Sequence, residues 1–503
     1  MADWSHGYTT DIEYTSGFYR ELAPFTLQLA LLLKGVQPPS LSSFSYCELG
    51  FGQGVSLNIL AAAFPNGDFW GTDFNPAHAA HAQRLARGAG LDNLHLFDKS
   101  FAEFAGADLP QFDFISLHGI YSWVTPENRR TIVDFIGRHL KVGGVVYISY
   151  NCLPGWAAAM PLRQLLAQHA ERSKEPPVAR VRSAIAFAGR LKEAGAAYFT
   201  QNPMLGARFD KLGDMPVNYL AHEYLNQAWH PQYFSEVAAE LAEAKLSFAA
   251  SAHIADHLDM VNFDEPKRAF LNGIEDPLFR ETMRDYLLNP QFRRDIFVKG
   301  PTRLSQPEQT ELLNALGFAL TTPRDRVPLK MTFPVGEMTL GADIYNPLLD
   351  QLAAGARSVA SLSKALVPHT LSAAQLIQAL TVLSASGHVA PAGVVEEAVV
   401  ARTAALNRAI AGRNRHGHEL AFLASPVLRS GIPVDRIDQI FLLARAEQTD
   451  PVAFAWKSLQ ALGQRLVKDG KTLETAEDNQ AELRARLIAF EGRLPFLRSL
   501  GIA

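Results

Sequence analysis

One stretch constrains this chain more than any other: Tyr46-Cys47-Glu48-Leu49-Gly50-Phe51-Gly52-Gln53-Gly54. A Pro/Ser-rich entry, residues 38–43, precedes it, and an apolar run from Val55 to Phe64 that can continue as a helix follows. The order is strand, glycine turn, helix. The turn calls for glycine because the backbone must bend sharply and come close to a ligand, and a residue without a side chain obstructs neither. Glu48 stands two residues before the first of these glycines, and Asp73 nineteen after Gly54, at the end of the next apolar segment, Phe69-Trp70-Gly71-Thr72. An acid at that distance can accept both ribose hydroxyls of a bound nucleoside.

A dinucleotide fingerprint wants a further Gly where Val55 stands, so that helix and strand can close around a pyrophosphate. That glycine is absent. Acid-x-Gly-x-Gly-x-Gly resembles instead the loop of class I S-adenosylmethionine (SAM) methyltransferases. There the loop cradles the uncharged adenosyl part and the acid faces the amino-acid end.

From Tyr46 onward strands alternate with helices. Expected strands end at Leu49 and Thr72, a third covers 94–97, a fourth 112–117 and a fifth 145–150. Such alternation predicts a parallel sheet with helices on both faces and a ligand at the carboxyl ends of the strands. Gly50, Asp73, Ser100 and His118 all fall there. After Trp156 the regularity stops. Residues 157–228 read as a helical insertion over the open end of the sheet, and 231–249 as the last helix and sixth strand of the same fold.

A chain of 503 residues exceeds one ordinary core. The expected divisions are a core at 1–260 including the insertion at about 157–228, a helical connector at 261–330, and a winged-helix-like and helical region at 331–503. In the last, 328–340 alternates like a hairpin around Pro334-Val335-Gly336-Glu337, and helical segments follow at 347–354, 358–366 and 372–386. Only Arg357 and Lys364 are basic between 343 and 390, too few for a phosphate track, so protein contact is expected there and nucleic acid is not. The net charge of −4 agrees. Cys47 and Cys152 are expected as buried thiols. With no basic-then-apolar leader and no run of about 18 apolar residues, the protein is expected to be cytoplasmic, without membrane insertion.

Two aromatic stretches follow the fourth and fifth strands: Leu117-His118-Gly119-Ile120-Tyr121-Ser122-Trp123-Val124 and Ile148-Ser149-Tyr150-Asn151-Cys152-Leu153-Pro154-Gly155-Trp156. Methyl transfer is an in-line displacement that demands alignment and a free lone pair. A lysine ammonium must first lose a proton, against an ordinary pKa of about 10.4. An apolar aromatic pocket favours that loss by desolvation, and ring faces hold a sulfonium or methylated ammonium. His118 can be read as the proton acceptor or as a ring hydrogen-bonded to backbone beside the cofactor. Tyr14 and Tyr19, in a Tyr-rich N-terminal segment, can be read as cofactor contacts or as packing between helix and sheet. His222-Glu223 lacks a second His at i+4 and is no zinc helix, so no metal site is expected. The pair reads as lining the substrate entrance or fastening the insertion.

With these residues the chain resembles class I methyltransferases carrying the bacterial methyltransferase regulatory domain, a family that includes outer-membrane-protein lysine methyltransferases. The resemblance rests on the Tyr14 region, the Glu48–Gly54 loop, His118-Gly119-x-x-Ser122-Trp123-Val124 and Ser149-Tyr150-Asn151-x-Leu153-Pro154-Gly155-Trp156, and more loosely on 219–225. Phe51 stands where many relatives have Cys. It implies a Rossmann-like α/β sheet with SAM held by Tyr14, Glu48, Gly50, Gly52, Gly54, Asp73, Phe74, Ser100, Phe101 and His118. Catalytic roles fall to His118, Tyr121 and Trp123, and acceptor contacts to Tyr150, Asn151, Trp156 and His222. The acceptor is expected to be a protein lysine, with a glycan or small-metabolite oxygen as the alternative and a non-catalytic SAM-binding regulator as the third reading. A homodimer is left open.

Overall fold

The computed structural model describes residues 17–215, 220, 221, 223, 224, 226, 228–367, 371–418 and 420–503. The central sheet is built from β1 (Phe44–Leu49), β2 (Gly67–Thr72), β3 (Leu94–Phe97), β4 (Phe112–Leu117), β5 (Leu140–Asn151), β6 (Leu246–Ser251) and β7 (Phe292–Lys299). Its order is β3-β2-β1-β4-β5-β7-β6, with β7 antiparallel to both neighbours. All of β1 is buried, as expected for a central parallel strand covered on both faces. Strand order reverses between β1 and β4, which opens a crevice at their carboxyl ends.

The sheet does not close at residue 260. β7 lies inside the stretch expected to be a helical connector, and it is the strand that joins β6 to the rest. Its sequence, Phe-Arg-Arg-Asp-Ile-Phe-Val-Lys, hides the strand behind charges. Arg293 and Asp295 are buried, and the guanidinium satisfies Asp295 (2.9 Å) and Asp285 (2.6 Å) at once. Paired in this way, the charges can sit inside a sheet.

The inserted helices, among them Met160–Glu171, Pro177–Glu193 and Pro203–Asp210, form a cap with a separate apolar cluster around Leu162, Leu166, Val181 and Phe199. Beyond the sheet, β8 (Gly317–Leu320) pairs with β11 (Arg357–Ser358) and β12 (Val389–Ala392) beside helices Ala342–Ala353, Val359–Ala365 and Ala373–Ala385, a winged-helix-like unit. β9 (Lys330–Phe333) and β10 (Gly336–Thr339) form the expected hairpin.

The helix after the glycine turn, Val55–Ala63, is buried at every position. A helix apolar all round must be covered all round. Here the sheet lies on one side, and helix Glu397–Arg415 with a C-terminal hairpin on the other. Arg429 fixes this contact by donating to the Ala63 carbonyl at 2.6 Å. The C-terminal region therefore packs directly on the element that carries the glycine turn.

Candidate active site

The glycine turn adopts positive φ at Gly50, Gly52 and Gly54 (74°, 56° and 69°). At Gly54 a Cβ would stand 2.4 Å from the Ala82 Cβ, so glycine is needed for close helix packing. At Gly52 nothing lies within 4 Å of where a Cβ would be, so this part of the turn faces open space. The open space is a cavity at the carboxyl ends of β1, β2 and β4, lined by Glu48, the three glycines, Asp73, Phe74, Ser100, Phe101, His118 and Trp123. The resemblance had named all of them.

Asp73 ties the turn in place. Its Oδ2 accepts from the Gly52 N–H (2.8 Å), and its Oδ1 accepts from the Asn75 N–H (2.9 Å) and lies 3.1 Å from His78 Nδ1. A carboxylate offers about four lone-pair positions, so room for one further donor remains. Ser100 caps the helix Phe101–Ala105, accepting from the Glu103 N–H and donating to its carboxylate (2.8 Å). Glu48 differs from both. It is buried, its Oε2 has no hydrogen-bond partner, and burial, with Asp73 adding to it, pushes its carboxyl up to about 8. A buried carboxylate oxygen without a donor is costly. A cationic amino group placed beside it would remove that cost, which fits the amino-acid end of SAM.

Opposite Asp73 the cavity ends in rings. Tyr19 stacks on His118 with centroids 3.6 Å apart, and Tyr147 holds His118 Nδ1 at 2.8 Å. Burial, then the nearby Arg294, lowers the His118 pKa to about 3, so the ring is neutral at physiological pH. Ser149 Oγ accepts from the Gly119 N–H (2.8 Å) and fixes the turn that follows. Trp123, Ile120 and Val124 complete this wall, with Thr125, Asn128 and Ala228.

The structure does not bring to this cavity Tyr121, expected as catalytic, or Tyr150, Asn151 and Trp156, expected as acceptor contacts. Tyr121 is fully buried on the other side of its turn, where its hydroxyl donates to Glu240. Tyr150 is buried likewise and donates to Asp295 (2.7 Å). Asn151 exchanges hydrogen bonds with Ser122 and reaches Glu223 at 3.5 Å. Trp156 donates to the Gln291 carbonyl (2.9 Å) and meets Trp229 edge-on. The Tyr150 and Trp156 side chains are spent on β7 and the segment before it, that of Asn151 on Glu223, and that of Tyr121 on helix Phe234–Ala242. Tyr14 and His222 lie outside the described residues. Of the two N-terminal tyrosines, the described one, Tyr19, lines the cavity.

Two participants escaped the sequence reading. Tyr147 precedes Ser149 by two positions on β5, so period-2 alternation puts both on one face, where they reach His118. Arg294 comes from β7, which was not read as a strand.

Residues 47–146 match the family model described as a methyltransferase domain, and residues 216–299 match one described as a predicted methyltransferase regulatory domain. In three dimensions the second match is no separate body. It supplies β6 and β7 and so completes the sheet. An uncharacterized protein of Synechocystis sp. is 45% identical over 506 residues, spanning 99% of this chain and 100% of that protein. An uncharacterized protein of Rickettsia prowazekii is 25% identical over 303 residues, 60% of this chain and 54% of that one. Among solved structures, PKMT2 from Rickettsia typhi aligns with a TM-score of 0.70 at 17% identity, over 97% of this chain and all of that one. Its complex with AdoHcy aligns with the same score at 18% identity, over 97% and 99%. The chain belongs with the Synechocystis protein to one family, the class I SAM-dependent methyltransferases that carry this regulatory domain.

Proposed function

We propose that this methyltransferase transfers the methyl group to the ε-nitrogen of lysine in a protein. The observation that carries the reading is the aromatic lining of the cavity beside the glycine turn: Tyr19 stacks on His118, Trp123 also lines it, and His118 is held neutral. SAM supplies an electrophilic methyl group when bound. The residues on this wall present ring faces and aliphatic surface to an acceptor. Desolvation there favours the neutral amine over the ammonium, and the ring faces hold the cationic product. His118, with a pKa near 3 and Nδ1 held by Tyr147, serves to support the Tyr19 ring and does not take up the ammonium proton. Deprotonation therefore precedes entry, and the rate should rise with pH above neutrality toward the ordinary amine pKa of about 10.4. The resemblance to outer-membrane-protein lysine methyltransferases and the fold shared end to end with PKMT2, crystallised with AdoHcy, support the same reading.

The test is incubation with host proteins and SAM carrying a deuterated methyl group, followed by mass spectrometry of peptides and of the small-molecule fraction. Deuteromethyl on lysine nitrogen is the expected result. Label confined to oxygen, or to small molecules, would overturn it.

A further inference from the structure

A second cavity lies beside the first, and the C-terminal region forms one of its walls. The far wall is helix Pro277–Leu288 and the start of β7; the near wall is β9. All four residues of β9 border it and none of β10 does, so the cavity lies along the side of β9 away from its partner strand. The Leu340 N–H donates to the Leu329 carbonyl (2.7 Å), which marks 329/340 as a hydrogen-bonded pair of the antiparallel ladder. Bonded and non-bonded pairs alternate, so Lys330 and Thr332 occupy the non-bonded positions and turn their N–H and C=O groups outward. Among the described residues these main-chain groups have no hydrogen-bond partner.

The opposite wall is charged, and its charges are paired. Arg293 is divided among Asp285, Asp295 and Glu281, and Arg284 pairs with Asp259. Asp285 Oδ2 and Arg294 Nε make no hydrogen bond, but each belongs to a group that already faces an opposite charge, Arg293 and Glu21 respectively. Unlike those single atoms, the outward main-chain groups on β9 form a repeat, and the occupant that answers such a repeat is another extended chain. The cavity also adjoins the active site. Phe292 lines it, and its ring meets His118 at 5.8 Å, while the Arg294 guanidinium lies over the Phe292 ring at 5.0 Å. One ring therefore separates the second cavity from His118.

We infer that an extended segment of the acceptor protein docks by β-addition along the free edge of β9, between that strand and the wall formed by β7 and helix Pro277–Leu288. The inference rests on the protein-lysine reading, and it gives the C-terminal hairpin a part in holding the substrate. The hairpin is fastened for this: the Val335 N–H donates to the Val261 carbonyl at 3.0 Å, in the short helix Asp259–Asn262.

Proline makes the test specific. Thr332→Pro removes an outward N–H and blocks the edge but breaks no β9–β10 bond, since proline is tolerated where the N–H faces away from the partner strand. Thr339→Pro does the same on the far edge of β10 and serves as the control. The probes are a fluorescein-labelled pool of ten-residue peptides with lysine at a fixed position, and Nα-acetyl-lysine methylamide as an acceptor without a chain. With the full-length enzyme, Thr332→Pro should lower kcat/KM for the peptide pool at least tenfold. SAM affinity and transfer to the single-residue acceptor should stay within about twofold. Equal peptide kinetics in wild type and Thr332→Pro, or an equal loss in Thr339→Pro, would overturn the inference. If neither acceptor is methylated, the lysine reading fails separately, and fluorescence anisotropy of the peptide pool still decides docking. Binding by wild type that is lost in Thr332→Pro supports it; absent or unchanged binding overturns it.

Discussion

The stretches that follow β4 and β5 look equivalent on paper, each mixing aromatic, hydroxyl and amide residues just past a parallel strand. Their fates differ. After β4, His118, Ile120, Trp123 and Val124 line the cavity beside the glycine turn and leave surface for a ligand. At the end of β5 and just past it, Tyr150, Asn151, Cys152 and Trp156 are buried; the Tyr150, Cys152 and Trp156 side chains are consumed by Asp295, Pro290 and Gln291, the Asn151 amide reaches Glu223, and the Asn151 main chain bonds Ser122. A satisfied motif marks assembly; a cavity with an orphaned polar atom marks binding. In this molecule the second motif is the seat of the regulatory-domain strand, and conspicuous residues are as characteristic of that seat as of the site itself.

The sharpest way to break this comparison is Gly155→Ala. A Cβ there would stand 1.9 Å from the Pro290 carbonyl oxygen, backbone that cannot step aside without moving the entry to β7. We expect a loss of about 4 kcal/mol or more, enough to leave little folded protein. Gly119→Ala, after β4, meets nothing within 4 Å and suffers only from φ +65, so about 1 to 2 kcal/mol is expected. Thermal melts of the two variants side by side measure the difference. Equal losses would show that the β5 stretch is no more structural than the other.

Next in size is Glu48→Gln. In the unfolded chain this carboxyl has an ordinary pKa of about 4.3, while in the fold it is pushed up to about 8, by burial first and then by Asp73. Below both values the proton is held in both states. Between them the unfolded chain releases it and the folded one keeps it, so the group's contribution to stability falls as pH rises from about 4.3 to about 8 and is constant above. The sum is on the order of a few kcal/mol. Glutamine does not titrate, so the variant without SAM should lose less Tm between pH 5 and 8 than wild type and should bind SAM more weakly. Parallel Tm profiles would show that burial does not raise this carboxyl, and unchanged SAM affinity would remove Glu48 from the cofactor site.

Asp73→Ala tests the nucleoside end. Losing a charge-assisted contact costs about 1.5 to 3 kcal/mol, roughly 10- to 150-fold in SAM affinity. Calorimetry on a variant with near-native circular dichroism is the measurement. Unchanged affinity would move the ribose elsewhere. Because Asp73 also holds the Gly52 N–H, Asp73→Asn should retain more of the turn and lose less.

What the sequence made legible follows from how local the signal is. Glu48, the three glycines and Asp73 belong to two adjacent βα units, and spacing alone brings them together. Tyr121 and Trp123 sit two residues apart in one short 3₁₀ turn, so they leave it in different directions. Nothing in the residue types says which one meets the cavity. Tyr19 and Arg294 arrive from remote parts of the chain, and contacts of that kind carry no spacing at all. β7 was missed because its core alternation is carried by buried, mutually paired Arg293 and Asp295, which a hydropathy pattern reads as surface. The apolar run at 55–63 did carry unused information, since a helix without a polar face already requires a second cover.

Tyr121→Phe is the smallest expected effect and the most pointed, because the resemblance implies a catalytic role for Tyr121. In the fold it donates to Glu240 on helix Phe234–Ala242, and burial, then the Glu240 bond, raises its pKa well above the ordinary phenol value. The phenol is therefore neutral throughout the working range and supplies no base. Phenylalanine keeps the ring in the core and removes one donor, leaving the Glu240 carboxylate with Gln232 at 3.2 Å and Arg129 at 3.8 Å. Since Arg129 can compensate, the loss should be about 1 kcal/mol, a few degrees or less in Tm for a chain of this size. The methyl-transfer kcat, its pH profile and SAM affinity should each stay within about twofold of wild type. A fall in kcat of tenfold or more with an unchanged melt would return Tyr121 to the acceptor site, and the division between the β4 stretch and its structural counterpart would have to run through Tyr121 itself.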